Sequence, residues 1–150
     1  MVRSANMTEV TQRSHSSGKN LVQDIGRYSA LGATVTDSGV NFSIFSKNAT
    51  GIELLLFDYA DDAQPSRVIR VDPTTNRNYH YWHVMVPSLK PGQIYGYRVE
   101  GPFNPSKGLR FDPRKVLLDP YSYGVVVPKE YSREAAAREG DNASDRKSVV

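Results

Sequence analysis

Sixteen carboxylates, three histidines and no cysteine are the groups from which this 150-residue chain could build chemistry. Hydrolysis by an acid pair needs two carboxyl groups facing one bond, in environments that push their proton affinities apart. Asp61-Asp62 lies in "DYADDAQP", which has the composition of a solvated turn, and Glu100 ends a strand pattern just before Gly101-Pro102. Neither sits where a second acid would face it. His80 and His83 stand three apart on a strand pattern and so face opposite ways, while His15 lies in a polar opening stretch. A metal needs ligands that converge. No phosphate-cradling glycine loop and no G-x-S-x-G turn is present. The residues predict no catalytic group, no metal site and no cofactor. Without cysteine, disulfides and thiol chemistry drop out as well.

Charge narrows the partners. The net charge is +3, and the densest basic group is Lys107, Arg110, Arg114 and Lys115. A nucleic-acid reader would show a basic stripe interleaved with stacking aromatics, so no nucleic-acid partner is expected. The opening "MVRSANMTEVTQRSHSSGKN" lacks the apolar centre of a signal peptide, and "LLLF" (Leu54 to Phe57) is the longest strongly apolar run. No membrane contact and a cytoplasmic location are expected. The sequons at Asn48 and Asn142 then read as chance.

The elements that would position any site are strands. Residues 1–24, rich in Ser, Thr, Gln and Asn, predict a disordered tail, with order beginning near Leu31. "GATVT" and "GVNFSIFS" form two short strands around Asp37-Ser38-Gly39, with Val40, Phe42 and Ile44 on one face. "GIELLLFD" is apolar on both faces and predicts a central strand; "SRVIRV" is more charged and predicts an edge. In "YHYWHVMV", Trp82, Val84 and Val86 share the core side against Tyr81, His83 and Met85. "QIYGYRVEG" follows, with Tyr95, Tyr97 and Val99 on one side. Strands at this spacing, split by turn residues, predict an all-β, immunoglobulin-like antiparallel sandwich. The spacing of Leu89, Pro91, Gly92 and Tyr95 fits a tyrosine corner, in which the hydroxyl bonds to backbone a few residues upstream. Only "SREAAARE" reads as helix, with Ser132 as N-cap.

From Gly101 the pattern changes: four prolines fall within twenty residues, interrupted by "VLL" (Val116 to Leu118). A loop this long and without elements is uncommon unless it has a task.

The run "LGATVTDSGVNFSIFSKNATGIELLLFD", followed by "YWHVMVPSLKPGQIYGYRVEGPFNPSKGLRFDPRKVLLDPYSYG", resembles the N-terminal domain of isoamylase-type glycogen debranching enzymes, classed with carbohydrate-binding modules of family 48. The ordered series of motifs covers about residues 26–127, and "DRKSVV" resembles the approach to a barrel. The resemblance implies a β-sandwich ahead of a (β/α)8 barrel that hydrolyses α-1,6 branch linkages with a carboxylate nucleophile and a carboxylic acid. A barrel of that kind takes about 200 residues or more, so its catalytic residues would lie outside this chain. The module itself is then non-catalytic, and residues 128–150 read as a linker toward that barrel.

The resemblance also assigns surfaces. The segment after Gly101 would run along the seam with the barrel, with Arg110, Phe111, Pro113, Leu117, Leu118, Asp119 and Tyr121 as interface. Glucan-binding members of the family present paired tryptophans with a lysine, whereas Trp82 is the only tryptophan here. Tyr79, Tyr81 and His83 are the substitutes for weak contact with an α-glucan such as glycogen or maltodextrin. The alternatives are a pullulanase, branching enzyme or trehalose-releasing hydrolase as parent, or a stand-alone sandwich binding glycogen or protein.

Overall fold

The computed structural model describes residues 24–142 and 144–150, so the expected tail up to residue 23, with His15, lies outside the described residues. Among the described residues eleven strands run in order: β1 Gly32–Thr36, β2 Gly39–Phe45, β3 Gly51–Phe57, β4 Arg67–Val71, β5 Arg77–Asn78, β6 Tyr81–Pro87, β7 Ile94–Glu100, β8 Phe103–Asn104, β9 Leu109–Arg110, β10 Gly124–Val126 and β11 Lys147–Val149. One sheet has the order β1-β2-β6-β5, a second β10-β11-β7-β3-β4, and β8 and β9 form a separate two-stranded ribbon. Neighbours pair antiparallel throughout. The fold is the expected immunoglobulin-like sandwich.

Alternation sets the core. Val40, Phe42, Trp82, Val84 and Val86 of the first sheet meet Ile52, Leu54, Leu56, Ile69, Val71, Tyr95, Tyr97 and Val99 of the second. The Phe42 and Tyr95 rings meet edge to face at 5.0 Å, an arrangement favoured by the ring quadrupoles. Trp82 is 1% exposed, as its company with Val84 and Val86 predicts. β3 is interior and β4 forms an edge, both as their composition indicates. The outward side chains Leu55 and Phe57 of β3 build a second, smaller cluster with Val116 on the far face of the second sheet. That cluster explains why β3 is apolar on both sides.

Three expectations need correction. Order begins by Asp24 rather than near Leu31: residues 24–28 cross the outer face of the first sheet and are tied to it. Asp24 exchanges backbone hydrogen bonds with Met85 at 2.8 and 3.0 Å. The Asn41 amide both accepts from Arg27 N–H (2.7 Å) and donates to the Arg27 carbonyl (2.9 Å). Ser43 donates to the Tyr28 carbonyl at 2.7 Å. Gly26, at φ +76, permits this approach, since a Cβ there would lie 2.6 Å from the Asn41 oxygen and 2.7 Å from Met85 N.

The tyrosine corner is the second correction. The Tyr95 hydroxyl donates to Asp119 Oδ2 at 2.8 Å, a partner 24 residues downstream, because the chain after β9 returns to the sandwich. Third, the stretch read as linker contains β11, which pairs Ser148 with Tyr95 and Val149 with Ile94. The helix is where its pattern puts it: α1, Arg133–Ala137, is capped by Ser132, whose Oγ accepts from Ala135 N–H at 3.2 Å.

Candidate functional site

Two surfaces carry the residues singled out by sequence. The first is made by the returning segment, residues 111–122. It runs against β7 beyond the residues paired with β11, where Leu117 exchanges backbone hydrogen bonds with Tyr97 at 2.7 and 2.9 Å. Val116 folds over the sheet at Gly96, where a Cβ would lie 2.8 Å from Val116 Cγ1. The path is fixed at several points. The Asn142 side chain holds both Val116 N–H (2.6 Å) and its carbonyl (3.0 Å), so the sequon asparagine is occupied internally. Asp112 accepts from Arg114 Nε at 2.9 Å and Nη2 at 3.0 Å, which holds its carboxyl well below the usual carboxylate range.

Asp119 is the polar centre of the segment. It is 3% exposed, takes the Tyr95 hydroxyl, accepts from Tyr121 N–H (2.8 Å), and gives its own N–H to Ser148 Oγ (2.9 Å). Burial raises its carboxyl above the ordinary 3.8, against the opposing effect of those two accepted bonds. Burial, together with the nearby Asp119, likewise pushes the Tyr95 phenol well above its usual range. Asp119 therefore faces inward and latches the segment to β7 and β11. Of the other expected interface residues, Phe111 and Leu118 are half-buried, while Arg110, Pro113, Leu117 and Tyr121 are exposed. Tyr123, Val125 and Val127, which the sequence reading passed over, continue the exposed apolar strip at 91%, 48% and 57% exposure.

The second surface lies at one end of the first sheet. Register places Phe45 opposite Tyr81, on the face turned away from Trp82. The rings form a run: Tyr28 to Tyr81 at 6.2 Å, Tyr81 to Phe45 at 5.3 Å, Phe45 to His80 at 5.9 Å, and His80 to Tyr79 at 3.8 Å. Tyr79 holds a left-handed backbone, φ 57, and its carbonyl accepts from Arg77 Nε at 2.9 Å. The expected trio splits here. Tyr79 and Tyr81 belong to the run, but His83 is buried beneath residues 24–28, with Nδ1 2.8 Å from the Ile25 carbonyl. It fastens the leading segment instead. Tyr28, Phe45 and His80 take its place. The antiparallel register of β2 with β6, a pairing of strands distant in sequence, brings Phe45 beside Tyr81.

The flagged acids are engaged singly: Asp61 with Lys129 at 3.6 Å, Glu100 with Arg70 at 3.3 Å. No group of three or more His, Asp or Glu able to hold a metal occurs among the described residues. No helix among them is long and apolar enough to cross a membrane.

The family profile described as carbohydrate-binding module 48 (isoamylase N-terminal domain) matches residues 30–122. A glycogen debranching enzyme of Serratia proteamaculans is 49% identical over 98 residues, covering 65% of this chain and 14% of that protein. A glycogen operon protein GlgX homolog of Mycobacterium bovis is 47% identical over 91 residues, 61% of this chain and 12% of that protein. This chain therefore spans about one-seventh or less of the length of these relatives. Among solved structures, a pullulanase from Bacillus acidopullulyticus superposes with TM-score 0.56 at 14% identity, over 81% of this chain and 11% of that one. At that identity the likeness concerns the fold alone.

Proposed function

Since the chain belongs to the carbohydrate-binding module 48 family of isoamylase N-terminal domains, we propose that it is the non-catalytic N-terminal module of a glycogen-debranching glycoside hydrolase. In that protein it supports a catalytic barrel acting on α-1,6 linkages, and it resides in the cytoplasm with glycogen. The observation that carries this reading is the returning segment. Residues 111–122 are pinned from within by Asp119, Asn142 and the Leu117 backbone. Yet Leu117 and Tyr121 remain 43% and 54% exposed, continuous in sequence with Tyr123, Val125 and Val127. A rigid strip of apolar side chains facing solvent is the form of a docking surface. A debranching parent is favoured over a pullulanase because the debranching relative shares 49% of its aligned residues and the pullulanase 14%.

The test is docking. The barrel portion of a glycogen debranching enzyme, expressed without its first domain, should bind this chain in calorimetry. Leu117→Ser with Tyr121→Ser should weaken that binding by about tenfold or more, as expected for central apolar contacts, with the melting curve of the chain little changed. A barrel indifferent to the chain, or to the double variant, rejects the reading.

A further inference from the structure

Lysine is among the residues least often found in a dry interior, yet Lys147 of β11 is fully buried. Its Nζ stands 4.9 Å over the Phe57 ring, on the far face of the second sheet. It donates to the Ala60 carbonyl at 2.9 Å and to the Asp145 carbonyl at 3.3 Å. Burial lowers its proton affinity, while the nearby carboxylates of Asp62, Asp145 and Asp61 oppose that shift. Two carbonyls, a ring face and three carboxylates thus direct negative potential at one point. That is the environment of a bound cation, and here the cation is part of the chain.

The segments it joins have few other ties. β10 lies at the sheet edge with β11 as its neighbour. The register of β11 with β7 covers Ser148 and Val149, so Lys147, opposite Val126 of β10, lies past its end. Residues 58–62 supply the Ala60 carbonyl and also hold the exit of β10, where Asp61 accepts from Lys129 N–H at 2.8 Å. That loop is closed on itself by Asp62, which accepts from Tyr59 N–H at 2.9 Å.

We infer that Lys147 is a positioning residue: its ammonium, a built-in cation between residues 58–62 and β11, keeps the β10–β11 ribbon seated, and with it the exposed docking side chains Val125 and Val127. The docking half of this inference rests on the debranching-module reading. An apolar side chain of similar length would fill the place over Phe57. It would leave the Ala60 and Asp145 carbonyls without this donor, and the surrounding acids without their counter-charge.

The experiment follows amide hydrogen exchange by NMR in the 150-residue chain and two variants. Lys147→Met keeps the bulk of the stem without its charge; Lys147→Ala removes both. Lys147→Met should speed exchange in β10, β11 and residues 58–62 by about tenfold or more, with β2 and β6 little changed. Propylammonium replaces the atoms that Lys147→Ala removes. Added to that variant it should restore protection, or folding itself if the variant does not fold alone, whereas 1-propanol at the same concentration should not. Protection in Lys147→Met equal to wild type, the result when an apolar residue replaces a buried ion without loss, would overturn the inference. So would loosening shared equally by β2 and β6, or no advantage of propylammonium over propanol. Barrel docking is a separate readout. Where the wild-type chain docks, Lys147→Met should dock about tenfold more weakly, as expected if the ribbon is seated in about one molecule in ten. Equal docking by the two defeats the inference alone. A wild-type chain that does not dock fails the debranching reading, and exchange still decides whether the ammonium seats the ribbon.

Discussion

The two outer faces of the sandwich are each covered by chain arriving from beyond the main hairpins, but by opposite chemistry. On the first sheet, residues 24–28 are held by polar side chains that project outward from the strands, Asn41, Ser43 and His83, and by Asn76 in the bend before β5. On the second, the cover is apolar, with Val116 seated on Leu55 and Phe57. Hydrogen bonds are directional and cover only what they reach, so the polar cover stops at Tyr28 and leaves the rings beyond it exposed. Apolar contact spreads over whatever area is available, so the second face is closed, and its exposed apolar side chains lie further out, on residues 117–127. Polar fastening thus leaves a sheet face partly usable; apolar packing consumes it.

The largest effect should come from the core that both faces share. Trp82→Ala should cost about 3–5 kcal/mol, the range for a buried large aromatic, and urea melts should show both covers lost in one transition. Loss of one cover with the other intact would break the picture of a common support. The next pair separates the faces. Leu55→Ala, under the apolar cover, should cost about 2–5 kcal/mol. Asn41→Ala, under the polar one, should cost about 1–3 kcal/mol, because it strands the Arg27 N–H and carbonyl. Hydrogen exchange should then localise the Asn41 effect to residues 24–28 and spread the Leu55 effect over β3 and β7; equal and equally spread effects would erase the contrast.

The smallest effect is one of pH. Burial raises the Asp119 carboxyl above 3.8 in the fold, so the folded chain binds that proton more tightly than the unfolded one. Stability therefore declines as pH rises from below 3.8 through the raised value, because ionisation is penalised in the fold and not in the unfolded chain. Asp119→Asn removes the titration, and its urea midpoint should fall less than wild type's between pH about 3 and 7. A steeper decline in the variant would show that Asp119 ionises more readily in the fold.

The sandwich was legible because β2, β3, β6 and β7 each run seven residues, long enough for alternation to mark a face. β10 and β11 have three residues each, too few for a period, and β11 exists because β7 offers it an edge. Pairings that span the chain were beyond local reading: His83 to Ile25 is a separation of 58 residues, Tyr95 to Asp119 one of 24. Each of those two side chains was given a nearby or solvent role when a distant backbone or carboxylate was its partner. On the ring surface, Tyr79 and Tyr81 were visible because alternation read from Tyr79 puts both on one side, although β6 itself begins at Tyr81 and Tyr79 belongs to the turn before it. Tyr28, Phe45 and His80 were missed because they come from a leading segment, the neighbouring strand and a turn.

The last residue is bonded on both sides of its peptide group: Val150 N–H donates to the Gln93 carbonyl at 3.0 Å, and Gly92 N–H donates to the Val150 carbonyl at 2.8 Å. A flexible tether would let an attached domain sample a cloud of positions that widens with linker length. At Val150 the two hydrogen bonds leave no such slack. Anything joined at Val150 would set out from a bolted mount, with its heading fixed by the turn that leads into β7, so a tilt of the sandwich would become a tilt of its cargo. A few glycines placed after Val150 would turn such a bracket into a leash.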